Sequence, residues 1–247
     1  MKIVKRKKGQ FIVLAALIVA IMIVSIGTIM YGTVTYFRHE RWQDYLMIID
    51  NVELGSQRVF EISLANYTST FNDTQVLFDN LNQWQTSFTN AYPGFGVALT
   101  YFDAAIGNGT KNVTSQIGNT MYFSSANSAL EINITSVGLT GYRFVASAFL
   151  GVILNATYDE SDLVIFTAVE KENSTPVTDL NKENFFVNNE SLAVMNSTLT
   201  RSYELDDDGV LRVVYRIVIL NDPGLSDVLV AVVDARGIKA IGNSTVT

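Results

Sequence analysis

No cysteine occurs anywhere in the 247 residues. Disulfides, thiolate nucleophiles and cysteine-ligated metal centres are thereby excluded. Histidine is almost as scarce: His39 stands alone, among Arg38, Glu40 and Arg41. A single imidazole has no second one with which to share a metal, and a Ser-His-Asp set could be built only around that position. Proline appears three times and not before Pro93, so no proline interrupts a helix in the first third of the chain. Charge is missing from Gly9 to Phe37, 29 consecutive positions. Basic residues are also few once the chain is under way. Five of the 17 Lys and Arg residues lie in the first eight positions, which leaves 12 against 24 Asp and Glu in the rest. That acidic remainder lacks the basic footprint that a nucleic acid requires, so no nucleic-acid partner is expected.

The uncharged run is what the start of the chain offers instead. Its apolar part, from Phe11 to Tyr31, matches the ~20 residues that a helix needs to cross a hydrocarbon core of ~30 Å. It exceeds the ~7–15 apolar residues of a secretory signal. The bulky, polar stretch after it offers no small-x-small cleavage site. A retained membrane helix over residues 10–37 is the reading, with the membrane as a partner. Lys2, Lys5, Arg6, Lys7 and Lys8 precede the run, whereas Arg38 to Asp44 after it is close to neutral. The positive-inside rule then places residues 1–9 in the cytoplasm and the bulk of the chain outside. Tyr31, Tyr36 and Trp42 fall where interfacial aromatics belong.

Asparagine is abundant, and its placement agrees with that orientation. Ten residues open an Asn-x-Ser/Thr triplet without proline in the middle: Asn66, Asn72, Asn108, Asn112, Asn133, Asn155, Asn173, Asn189, Asn196 and Asn243. With 20 Asn, 18 Ser and 22 Thr in the chain, chance alone gives about 3 such triplets. None precedes the apolar run. A threefold excess confined to one side of a span marks these asparagines as N-glycosylation acceptors on the outer side.

Beyond the span the helical pattern continues. Trp42, Tyr45, Leu46, Ile49, Val52 and Val59 recur at helical spacings against Glu40, Asp44, Asp50 and Arg58, which predicts one rod from about Gly9 to Leu64. Gly55 is its weak point, costing about 1 kcal/mol against alanine. A second helix is expected from Thr74 to Tyr92, ended by Pro93-Gly94. The texture then turns to strands. Phe95–Phe102, Leu130–Ser136 and Tyr142–Leu154 read as antiparallel strands, with turns at Gly107–Thr110 and Leu139–Tyr142. A second β unit is expected from residue 158 to 247. Its strands are Leu163–Val169, Phe185–Val187, Ser191–Met195, a hairpin from Tyr203 to Ile219 turning at Asp206–Gly209, and Val228–Val233 followed by a last strand. Leu163, Phe166, Phe186, Val213, Tyr215, Ile217, Val230 and Val232 are its expected core. The fold class is α+β: a long N-terminal helix, a helix-plus-β domain over residues 38–157, and a C-terminal β-sandwich able to fold by itself.

Two stretches resemble known families. Lys5-Arg-Lys-Lys-Gly9 followed by Gln10-Phe-Ile-Val-Leu14 resembles the class III signal of archaeal type IV pilin-like proteins. The resemblance implies cleavage by a prepilin peptidase between Gly9 and Gln10. It also implies a helix that packs with other pilin-like subunits or anchors the protein. Many pilins carry Glu at the fifth mature position, where this chain has Leu14. The second stretch, Thr175 to Val187, contains Pro176-Val177 and then Asn184-Phe-Phe-Val187. Together with Val230 to Ile238 it is similar to Ig-like modules of bacterial and archaeal adhesins, which implies a spacer or binding surface.

Little else points to chemistry. Asp206-Asp-Asp-Gly209 lacks the alternating ligands of a calcium loop and reads as a solvated hairpin corner. Asp159 to Asp162 reads as an acidic linker, and Gly107-Asn-Gly109 lacks the strand–loop–helix setting of a phosphate loop. Trp84, Phe88, Tyr92, Phe95, Tyr101 and Phe102 read as core. No catalytic set, metal site or cofactor is expected, and the chain reads as a structural or adhesive surface protein rather than an enzyme.

Overall fold

The computed structural model describes residues 4–70, 72–205, 209, 211–220 and 224–246, with backbone only for 4–15 and 34–44. The fold is α+β. The first helix, α1 (Val4–Ser69), runs without a break, as the absence of proline allows. The chain divides into two units at Asn51/Val52.

In the first unit, the stretch Ala16–Thr33 has a mean hydropathy of 2.1 and none of it is buried. It is long and apolar enough to cross a membrane. Its polar side chains are satisfied within the helix: Thr28 Oγ1 donates to the Val24 carbonyl at 2.7 Å, and Thr33 Oγ1 to that of Ile29 at 2.8 Å. Such back-bonding lets hydroxyls sit in an apolar surround without an orphaned donor.

The second unit holds the remainder. Here the end of α1 buries Val52, Ser56, Phe60, Ser63, Leu64 and Tyr67, a stripe at spacings of three and four. Helix α2 (Gln75–Ala91) runs antiparallel to it. Gly55 explains itself at this point, because a Cβ there would stand 2.9 Å from Trp84 Nε1. The helical cost of glycine is offset by the close approach it permits. Asn80 Nδ2 donates to Ser63 Oγ at 2.9 Å across the same interface.

Among the described residues eleven strands form two sheets: β1 (Val97–Asn112), β2 (Thr120–Ile134), β3 (Leu139–Asp159), β4 (Asp162–Lys171), β5 (Thr175–Pro176), β6 (Phe185–Val187), β7 (Glu190–Ser191), β8 (Ser197–Leu205), β9 (Leu211–Ile219), β10 (Asp227–Val233) and β11 (Lys239–Thr245). The larger sheet has the order β1-β2-β3-β4-β9-β8, with β5 beside β4, and the smaller one β11-β10-β6-β7. Alternation assigns its two faces. On the inner face lie Tyr101, Leu130, Leu154, Thr167 and Tyr215. The helices cover one end of that face: Tyr101 Oη donates to Asn82 Oδ1 at 2.9 Å, and Gln85 Nε2 donates to the Leu99 carbonyl. The smaller sheet covers the rest, with β11 packed on β3 and β2 and the rings of Phe185 and Tyr215 5.4 Å apart. On the outer face, Ile117 from the β1–β2 loop caps Met121, Ile153, Ala168 and Val214.

Tyr215 ties the sandwich together. Its hydroxyl donates to the Val177 carbonyl at 2.8 Å and accepts from Leu180 N at 3.3 Å. Burial raises the phenol's pKa above its ordinary value. One row away, Thr167 Oγ1 is buried and has no hydrogen-bond partner. Thr167→Val removes that orphan at nearly constant volume. The substitution is expected to raise stability by about 1 kcal/mol, read as a melting temperature ~2–4 °C higher. A lower melting temperature would mean that the hydroxyl is bonded after all.

The structure differs from the sequence reading in several places. Residue 157 lies inside β3, and β3 pairs with β4 from Leu150/Lys171 to Asp159/Asp162. The two expected β units therefore share one sheet, and residues 52–247 form one compact unit. Gly107–Thr110 is strand, paired with Tyr122–Ser125; Gly109 leaves room for the Phe123 ring across the ladder, whose Cζ a Cβ there would meet at 2.7 Å. Of the expected Ser191–Met195 strand only Ser191 pairs, as the end of β7, and Val194 is exposed. Phe166 and Phe186 are half-buried, whereas the other six expected core residues of the C-terminal unit are buried. The corner Asp206–Asp208 lies outside the described residues.

Candidate functional site

The ten sequons all fall on described residues, and none of their asparagines is buried. Eight are exposed, while Asn133 and Asn155 are half-buried. None of the Ser or Thr hydroxyl residues two positions on is buried either. An acceptor must present both groups, so each triplet is open to modification. Three of the asparagines have positive φ: Asn72 (58°), Asn173 (58°) and Asn189 (69°). Asparagine tolerates the left-handed region better than other non-glycine residues, so these three also make their turns.

The fold brings some sequons together. Asn108 Nδ2 donates to Asn72 Oδ1 at 3.3 Å, and Ser124 Oγ donates to Asn108 Oδ1 at 2.7 Å. Asn133 is the most engaged: its Oδ1 accepts from Gly141 N at 2.7 Å and its Nδ2 donates to Glu131 Oε1 at 3.3 Å. The sequons also follow the sheet margins. Asn108 and Asn112 lie on β1, Asn243 lies on β11, and Asn189 and Asn196 immediately precede β7 and β8. These four strands are the outermost of the two sheets.

At the other end of the chain, Gly9 and Gln10 are in the first turns of α1, with side chains outside the described set. His39 likewise lies in α1 with only its backbone described. The aromatics Trp84, Phe88, Tyr92 and Phe95 form a chain of ring contacts 4.9–6.2 Å apart. Phe102 is different: it is 39% exposed and lies under the Arg143 guanidinium at 5.4 Å.

Sequence reasoning passed over Arg236, the most heavily bonded cation described. Its Nε donates to Asp234 Oδ2 at 2.7 Å, its Nη1 to Glu172 Oε1 at 2.6 Å, and its Nη2 to the Phe149 carbonyl at 2.9 Å. Glu61 of α1 is 3.5 Å from Nη1. Burial works against the charge, but the bonds to Glu172 and Asp234 outweigh it and raise the guanidinium's pKa. The cluster joins α1, β3, the turn after β4 and the β10–β11 turn. Its geometry is that of a structural clamp. Beside it, on the outer face, Lys111, Asn127, Ser147, Phe149 and Lys171 line an open basin of about 270 Å³.

Comparison with known protein families, with curated proteins and with solved structures finds no match to this chain.

Proposed function

We propose that this chain is a cell-surface structural or adhesive protein of the archaeal type IV pilin-like kind, held by its N-terminal helix with the β-rich body outside. The observation that carries the reading is the pairing of a wholly unburied apolar stretch, Ala16–Thr33, with ten open sequons that all lie beyond it. The basic residues before the stretch give the orientation. The Lys-Lys-Gly-Gln junction supplies the link to prepilin peptidase and pilin-like subunits. The smaller sheet facing β4 and β9 supports an Ig-like arrangement for the C-terminal strands, and with it a spacer or binding role. Leu14, in place of the glutamate common in pilins, favours a second reading: an anchored binding module that never enters a filament.

Deglycosylation of protein extracted from its native membrane is expected to lower its mass by several glycans. Asn133 is expected to be the least occupied site, because folding engages its amide. Protease added to intact cells is expected to remove the body and spare the span. An unchanged mass, or a body protected in intact cells, would refute the topology. Recovery in sheared filaments favours the pilin-like role, and recovery only in membranes favours the anchored module.

A further inference from the structure

We propose that the free edge of β3, from Arg143 to Ser147, is a docking site for an extended peptide strand that carries a carboxylate. β3 has 21 residues, but only Leu150 to Asp159 pair with β4. Below Leu150 it pairs with β2 alone, because β4 ends at Lys171 and the chain turns away through Asn173 and Ser174, both with positive φ. The seven-stranded sheet therefore has a step. At the top of the step the edge is capped: Phe149 N donates to Glu172 Oε1 at 2.7 Å, and the Phe149 carbonyl accepts from Arg236. Outward-pointing groups recur every second residue in an antiparallel ladder, and the β2–β3 register is regular from Met121/Ile153 to Ile132/Tyr142. The N–H and C=O groups of Ser147, Val145 and Arg143 thus point the same way as those of Phe149. Among the described residues they meet no hydrogen-bond partner.

Two features fit this edge to a carboxylate-bearing strand. Its middle residue, Val145, is 73% exposed, so a paired strand would gain apolar cover as well as a ladder. The basin at the step holds Lys111 and Lys171, neither of which has an ion-pair partner among the described residues. The nearby Glu172 is already engaged by Arg236. At the other end, Arg143 is bound to Glu131 at 2.6 Å, and the bonds from Arg143 and Asn133 hold the Glu131 carboxyl below its ordinary pKa. The positive charge not paired with a carboxylate thus lies at the step, with Lys111 Nζ 5.1 Å from the centre of the Phe149 ring. Unguarded edges invite pairing with other chains.

The test uses the full chain in detergent, produced without glycans, and a fluorescein-labelled, C-terminally amidated peptide Val-Thr-Val-Thr-Val-Asp beside the same amidated peptide ending in Lys. The Asp peptide is expected to bind at least about tenfold more tightly, and to slow amide exchange at Arg143, Val145 and Ser147 by at least about tenfold. Val145→Pro removes one ladder donor from an edge position, where proline is tolerated, and is expected to abolish that protection. Lys171→Glu, an exposed change, is expected to reverse the Asp/Lys preference. Failure of both peptides to bind natively folded chain, binding without protection of the three amides, or a preference indifferent to Lys171→Glu would overturn the proposal. None of these results bears on whether the native protein is glycosylated.

Discussion

Arg236→Met is expected to destabilise the body by about 3 kcal/mol, the lower end for breaking a buried ion pair, and to lower its melting temperature by roughly 6–12 °C. Methionine preserves most of the apolar stem and deletes the guanidinium. What remains behind is the reason for the size of the effect. The Asp234 side chain is only 5% exposed, Glu172 loses its closest cation, and the Phe149 carbonyl loses its donor. The lower end applies because Asp234 Oδ1 still accepts from the backbone N–H groups of Arg236 and Ile238, each at 3.0 Å. Arg143→Met is the control. That guanidinium is 69% exposed, and its loss is expected to leave the melting temperature nearly unchanged. Thermal melts followed by circular dichroism would decide the matter. A melting curve for Arg236→Met that overlays the unmodified protein would show that the clamp contributes nothing.

Excising residues 158–247 is expected to yield a fragment with no cooperative melt, although its strands make two facing sheets. The cut removes β3 up to Thr157, and with it the ladder on that edge of β4 except beside the turn, where Tyr158 and Asp159 pair with Leu163 and Asp162. It also strips the cover from β11, which packs on β3 and β2 and whose Lys239 carbonyl lies 2.7 Å from Ser124 Oγ. Arg236 loses Phe149 and Glu61 as well. The summed loss is expected to exceed about 5 kcal/mol, the whole stability of many domains. Residues 52–247 keep all of these contacts and are expected to melt in one transition. A sharp melt of the 158–247 fragment would mean that the C-terminal strands are an independent module, as their sequence suggests.

Local signals were legible in the sequence and long-range ones were not. The uncharged run from Gly9 and the lack of early proline specify α1 by themselves. Pro93-Gly94 stops α2 as expected. Leu46 fits the apolar stripe by spacing yet is exposed. The buried line instead includes Ser56 and Ser63, which hydropathy does not select. Ser63 belongs there because Asn80 of α2 bonds to it. Gly107–Thr110 carries turn chemistry in its composition, but pairing with Tyr122–Ser125 across the ladder makes it strand. Arg236 was invisible for a related reason: Glu172, Phe149 and Glu61 lie 64, 87 and 175 positions away. The sequons were readable as triplets. Their place on the four outer strands was not, because strand order is set by pairing between distant segments.

The N-terminal residue of the mature protein, extracted from its native membrane and sequenced directly, tests the surface, pilin-like reading most directly. The predicted result is a chain that begins at Gln10, with all five leading charges of Lys2, Lys5, Arg6, Lys7 and Lys8 removed and the apolar helix left at the new end. A chain that begins at Met1 or Lys2 would contradict it.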